Sequence, residues 1–275
     1  MNMEIYVPNK INEQATLSRT THLAIAAHHD DIEIMAYHGV VSCFGSPENF
    51  FTGVVVTNGS GSPRSGIYAD YTDDEMMKIR KIEQQKAAVV GDYSAQIFLD
   101  YPSSAVKSPN DREVVEDMKK IITETQPQYI YTHNLADKHD THVGVAVKVI
   151  KALRELNYVP GAVYGCEVWR SLDWMADSDK VTLDVAGHEN LEAAILGVFD
   201  SQIAGGKRYD LATVGRRLAN ATFFESHGVD DTNALSYAMD LTPLIKEENL
   251  DLSDFVIGHI NKLANDIANK IKGLY

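Results

Sequence analysis

The chain has 275 residues, a formal charge of −14, 44% apolar residues and 23% charged ones. That length suits one large α/β domain spanning 1–275, with a core over about 20–225 and a helical elaboration over about 226–275. No basic stripe offsets the acidity, which argues against nucleic acid and anionic membranes as partners. No run of 18 apolar residues argues for a membrane span. Cys43 and Cys166 give neither a disulfide framework nor a zinc-ribbon spacing, and the first residues lack signal-peptide features, so a cytoplasmic protein is expected.

In chain order, the first strong signal is an apolar strand over 23–27, which ends abruptly in His28-His29-Asp30-Asp31-Ile32-Glu33. A helix follows over 31–43, then a strand over 53–57. The segment 58–74 is the one long loop of the first half. Its glycines lack the Gly-Lys-Ser/Thr ending of a phosphate loop, so a mobile rim bordering a site is the better reading. A helix over 75–91 carries Arg80 and Glu83, and a strand over 96–99 and a helix over 111–125 come next. A strand over 129–132 then runs into Thr132-His133-Asn134-Leu135-Ala136-Asp137-Lys138-His139-Asp140-Thr141-His142. A helix over 142–157 and strands over 162–169 and 181–185 complete the alternation. From about 188 the pattern turns mainly helical, over 190–201, 209–218 and 253–272. The last of these repeats apolar residues at helical spacing, which reads as packing on its own domain, with a homo-oligomer interface as the alternative. The βαβα order predicts an α/β, Rossmann-like, mostly parallel sheet flanked by helices, with a mainly helical C-terminal part.

Buried strands that stop at ionisable residues place them where a parallel sheet keeps its active site, beyond the strands' carboxyl ends. His28 and Asp31 can hold a divalent cation, and Asp30 remains for proton transfer. His-x-x-His at 139 and 142 is weak alone, but its position after a strand matches that of the first cluster. Two histidines, one carboxylate and an open position for water make a catalytic zinc set.

The two clusters resemble a known family. Ala27-His28-His29-Asp30-Asp31-Ile32-Glu33 is similar to the Ala-His-Pro-Asp-Asp-x-Glu signature of the PIG-L (LmbE-like) de-N-acetylases. Asp137-Lys138-His139-Asp140-Thr141-His142 resembles their Asp-Arg-His-Pro-Asp-His signature. Arg80-Lys81-Ile82-Glu83 and Asp200-Ser201-Gln202 resemble two later segments. The resemblance implies metal-dependent hydrolysis of an N-acetyl group on a small-molecule amino sugar of the N-acetylglucosamine type. It implies His28, Asp31 and His142 as metal ligands, for Zn2+ or for Fe2+, which can use the same set. It implies Asp30 as general base, His139 as the residue assisting the oxyanion or leaving amine, and Arg80 near the substrate.

The chain departs from the pattern at His29, in place of proline, and at Asp140 and Thr141, in place of Pro-Asp. The lost carboxylate at 141 is a natural partner for a nearby histidine, and Asp137 or Asp140 can substitute. Plainer readings stand beside these. Asp30 and Glu33 have the spacing of a helix capping box. Arg80 and Glu83 can form a helical ion pair. His133 reads as a surface polar residue, and His22, His38, His188, His227 and His259 as structural. The alternatives in function are hydrolysis of another small N-acyl conjugate, or a metal- or sugar-binding protein without turnover.

Overall fold

The computed structural model describes residues 3–10 and 12–275. Eight strands form one sheet: β1 (Glu4–Tyr6), β2 (His22–Ala26), β3 (Phe51–Thr57), β4 (Ala95–Tyr101), β5 (Tyr129–His133), β6 (Ala162–Cys166), β7 (Lys180–Asp184) and β8 (Leu235–Asp240). Their spatial order is β1-β4-β3-β2-β5-β6-β8-β7. The run from β4 to β6 is parallel throughout. β1 joins β4 antiparallel, and β8 pairs antiparallel with both β6 and β7.

Strands β2 and β3 are buried along their whole length, because helices cover both faces of the parallel part. Side chains alternate between two core layers, with Leu23 and Ile25 in one and Ala24 and Ala26 in the other. The helices Glu113–Thr125 and Asp140–Leu156 supply Val114, Met118, Ile121, Val145 and Val149 to the first layer. Ile32, Met35, Val40, Leu191 and Ile195 fill the second.

The expected strands and helices are present with shifted ends. The expected 31–43 helix is two, Asp31–Met35 and Tyr37–Cys43, broken at Ala36 with φ −111°. The strand expected over 162–169 leaves the sheet after Cys166. There the buried Glu167 carboxylate accepts from Asn220 Nδ2 at 2.7 Å and from the Tyr237 N–H at 3.2 Å. The stretch 226–275 is not wholly helical, since it supplies β8 to the sheet interior. Leu235, Tyr237 and Met239 alternate there with smaller residues, the period-two signal of a strand.

The last helix, Leu252–Leu274, has no buried residue. Leu252, Phe255 and Val256 pack on the core, and His259 and Lys262 pair with Asp179. Farther along, Ile267, Ile271 and Leu274 lie at least half exposed. The expected packing on its own domain therefore holds only for the first turns. Among the described residues, no helix is long and apolar enough to cross a membrane.

Gly205 closes the turn that follows the short Asp200–Ile203 helix. A Cβ there would lie 2.0 Å from the Ser201 backbone oxygen, which cannot rotate aside. Gly205→Ala is expected to destabilise the fold by about 1–3 kcal/mol, the usual range for overpacking. A urea or thermal midpoint equal to the parent's would show that the turn relaxes freely.

Candidate active site

Chain order reverses at β2. The chain moves outward through β3 and β4, then returns to add β5 on the other side of β2. That switch point opens a crevice at the carboxyl ends of the strands. A cavity of about 470 Å3 lies there, lined from the ends of all five parallel strands. His28, Asp30 and Asp31 follow β2, Thr57 and Gly59 follow β3, and Ser103 and Lys107 follow β4. His139 and Thr141 follow β5, and Trp169 follows β6. The expected rim role of loop 58–74 agrees with this lining, to which Gly59, Gly61, Ser62 and Pro63 belong.

Three side chains converge at the floor. His28 Nδ1 lies 3.1 Å from Asp31 Oδ2 and 3.1 Å from His142 Nε2, and His142 Nε2 lies 3.2 Å from Asp31 Oδ2. Ligand bonds of about 2.0–2.2 Å put tetrahedral ligands about 3.3–3.6 Å apart, so this near-equilateral triangle can accept a divalent ion with little movement. Two wider groups, His28–His139–His142 and Asp31–His133–His142, also have donor atoms within 4.8 Å of one another. The tighter triangle overlaps both and has the closest donor contacts. Burial would raise Asp31, but His142 and the His28 contact hold its carboxyl well below the usual range. Burial would lower His142, but the Asp31 and Asp137 carboxylates outweigh it and hold the imidazole up at about 9.

Asp30 sits beside the triangle without belonging to it. Its backbone is left-handed, with φ +76°, and its side chain makes no cap bond to the following helix. A non-glycine residue in that region carries strain. Here Gln84 Oε1 accepts the Asp30 N–H at 3.1 Å, Arg80 NH1 lies 3.3 Å from Asp30 Oδ2, and Arg80 NH2 donates to His29 O at 2.7 Å. The capping-box alternative therefore does not describe this turn. Arg80 is buried and directed at Asp30, while Glu83 accepts from the Ser201 N–H and Oγ at 2.7 and 2.6 Å. The alternative of an Arg80–Glu83 helical pair gives way to these two separate anchors. Burial lifts the Asp30 carboxyl to about 7, against the downward pull of Arg80.

The second cluster differs from expectation at His133. It is fully buried rather than on the surface: Nε2 accepts the Ala27 N–H at 2.8 Å and the ring stacks on His142 at 3.9 Å. The pairing of β5 beside β2 puts it behind the site, which no local sequence signal indicates. Asp137 supplies the carboxylate behind His142, with Oδ1 3.5 Å from Nδ1, and its Oδ2 accepts the Trp169 N–H at 3.2 Å. Asp140 remains exposed. Thr141 lines the cavity, but its buried hydroxyl has no partner. His139 Nδ1 accepts the Thr141 N–H at 3.3 Å, which leaves the ring proton on Nε2. Burial, His28 and His142 all lower its pKa, so the ring is neutral near pH 7 rather than the imidazolium a proton donor of higher pKa would present. Both ring nitrogens of His29 are buried without partners; the ring stacks on Phe98, and only a glycine at 59, with φ +76°, leaves room beside it.

Residues 23–153 match the sequence profile of the family described as PIG-L, GlcNAc-PI de-N-acetylase. The matched segment is just under half of the chain. It contains both ionisable clusters and Arg80. A search of curated protein sequences found no match. Among solved structures, the chain is similar to the N,N'-diacetylchitobiose deacetylase of Pyrococcus horikoshii, with TM-score 0.65 and 14% identity over 83% of this chain and 86% of that one. It is also similar to GalB, the 4-carboxy-2-hydroxymuconate hydratase of Pseudomonas putida KT2440, with TM-score 0.62 and 16% identity over 81% and 96%. A third likeness is the zinc-inhibited form of teicoplanin deacetylase Orf2, with TM-score 0.58 and 14% identity over 80% and 97%. At such identities these likenesses show a shared fold. In each case the present chain spans most of the other's length.

One buried acid of the matched segment supports a pH test. Glu33, expected to be structural, accepts from Gln84 Nε2 at 2.7 Å and from Tyr93 OH at 2.8 Å, and burial raises its carboxyl to about 8. The folded pKa exceeds the unfolded 4.5, so its stabilisation is complete below pH 4.5 and is lost as pH rises to about 8. Glu33→Gln keeps an acceptor oxygen and is expected to reduce the fall of the urea midpoint across that window. A slope unchanged from the parent would mean that Glu33 is already ionised in the fold.

Proposed function

We propose that this chain is a metal-dependent hydrolase that removes the N-acetyl group from an N-acetylglucosamine-type amino sugar. The observation that carries the reading is the His28–Asp31–His142 triangle with the separate acid Asp30 beside it, at one end of a cavity large enough for a sugar. The family description, and the deacetylases among the proteins of the same fold, favour an N-acyl bond over other hydrolysable bonds.

In this reading His28, Asp31 and His142 hold a divalent ion, Zn2+ or Fe2+, since two imidazoles and a carboxylate suit either. That one neighbour is described as zinc-inhibited makes the choice of metal an experimental variable. When bound, such an ion lowers the pKa of water and polarises a carbonyl. The chain's own residues do the rest. Asp30 accepts the proton of the attacking water, as a carboxylate held near pKa 7 can do at neutral pH. Arg80 fixes the orientation of Asp30 and, as a lining residue, is assigned a contact with substrate. His139, neutral with its proton on Nε2, donates to the developing oxyanion. The proton taken by Asp30 passes to the departing nitrogen, so that amide and water yield acetate and a free amine. Asp137 orients His142 through Nδ1.

Substitutions separate these roles. Asp31→Ala or His142→Ala is expected to lose bound metal together with activity. Asp30→Asn should keep its metal while kcat falls about 10²–10⁴-fold, the range for a lost general base. Metal content by mass spectrometry, alongside acetate release from N-acetylated sugars, reads both. Wild-type turnover in Asp30→Asn would remove Asp30 from the mechanism.

Asp137→Ala tests the support rather than the ligands. Metal affinity is expected to fall about 10–100-fold, as for other lost partners of ligand histidines, and competition with a chelator measures it. Unchanged affinity would leave His142 oriented by packing on His133 alone.

A further inference from the structure

The last helix, Leu252–Leu274, is anchored at one end only. Leu252, Phe255 and Val256 pack on the core, and His259 meets Asp179. From Ala264 to Leu274 every residue is exposed. A helical segment of that length is marginal in water by itself, and Asn265, Asn269 and Gly273 favour helix only weakly. The segment nevertheless carries a regular apolar pattern that begins one turn after the anchor. Ile257, Ala264 and Ile271 recur every seven residues, and so do Ile260, Ile267 and Leu274. The two sets alternate at steps of three and four, the seam of a coiled coil. Its five large side chains are 37–83% exposed. Leu252, Phe255 and His259, which hold the body, fall on a different arc of the helix, so seam and anchor do not compete.

We propose that this seam is a dimerisation surface, on which a second copy of the chain lays the same helix antiparallel. The spacing of the seam is the same read from either end. About a two-fold axis between Asn265 and Asp266, Ile257 faces Leu274 of the second copy, Ile260 faces Ile271, and Ala264 faces Ile267. Such reciprocal contact is what an isologous interface requires. The flanking residues are Asn261 and Ala268 on one side and Leu263 and Lys270 on the other, so no carboxylate borders the seam. The antiparallel direction brings Lys272 of the last turn toward Asp254 of the second copy's first turn. It also keeps the two bodies, each with a net charge of −14, at opposite ends of the pair, where a parallel arrangement would set them side by side. The same charge disfavours an anionic bilayer as the occupant. Over two copies the seam offers on the order of 1,000 Å2, the size at which specific interfaces begin. No residue of this helix lines the cavity at the strand ends, so the proposal stands apart from the deacetylase reading.

Sedimentation equilibrium of the full chain, at micromolar concentration, is expected to give twice the monomer mass of 30.4 kDa. Ile267→Glu/Ile271→Glu places charges in the seam and is expected to weaken association by about 100-fold or more. Both positions are exposed, so the thermal midpoint of the variant should stay within a few degrees of the parent's. A second pair of variants tests direction without charge. Ile257→Cys and Leu274→Cys proteins, mixed and oxidised, are expected to form the mixed disulfide in preference to either homodisulfide; Cys43 and Cys166 are buried and do not compete. A parent that stays monomeric, an association that survives the double glutamate variant, or homodisulfides in excess of the mixed one overturns the proposal. So does a monomeric parent that binds phosphatidylserine vesicles and loses that binding in the glutamate variant, which would make the helix a membrane-surface element instead.

Discussion

The site depends on the lateral pairing of β2 with β5. Their register sets Leu23 beside Ile130 and Ala24 beside Tyr131, and both strands stop at ionisable residues at the same edge of the sheet. His28 and His142, 114 positions apart, then meet at 3.1 Å. His133 Nε2 accepts the Ala27 N–H and ties the two strand ends where their ladder stops. A one-residue slip of either strand would turn its side chains to the opposite face and separate the donors. The geometry of the site is therefore a consequence of sheet register, held by core packing on both faces.

Around that pairing lies an unusual quantity of buried polarity. Asp30, Asp31, Glu33, Arg80, Glu83 and Arg217 are all buried, and each has identified partners. Charges taken from water are costly unless paired and hydrogen-bonded, and a buried pair adds little net stability over apolar packing. Its value here is positional. Arg217 donates to the Glu33 and Ile34 carbonyls and pairs with Glu192, which fixes the helix carrying Asp31. Arg80 fixes the strained Asp30 turn. Glu83 anchors Ser201, and so the turn that leads to Lys207. These buried contacts fix the positions of Asp31, Asp30 and Ser201.

The same architecture is found in proteins described as deacetylases and in one described as a hydratase. A fold of this kind supplies a switch-point crevice, and the residues at five strand ends supply the chemistry. Activating water is common to hydrolysis and hydration. What differs is the group presented to that water, and in this chain Trp169 and Tyr209 are among the residues that line the cavity where it would sit.

Much of the fold was legible in the sequence because burial of the parallel sheet leaves contiguous apolar runs, and two of them end in histidines and aspartates. The alternation of strands and helices, and the identities of His28, Asp30, Asp31, His139 and His142 as a candidate set, follow from that pattern and from the family resemblance. Strand β8 was missed beneath a mainly helical stretch, although its period-two alternation was present. The burial of His133, the choice of Asp137 over Asp140 behind His142, and the commitment of Arg80 to Asp30 rather than Glu83 had no local signature. Each depends on which segments distant in sequence lie side by side. The sequence by itself determined which side chains could do chemistry and that they stand at strand ends. Only the tertiary structure decided their partners, their burial and which residues line the cavity with them, because distances and desolvation are properties of packing and not of spacing along the chain.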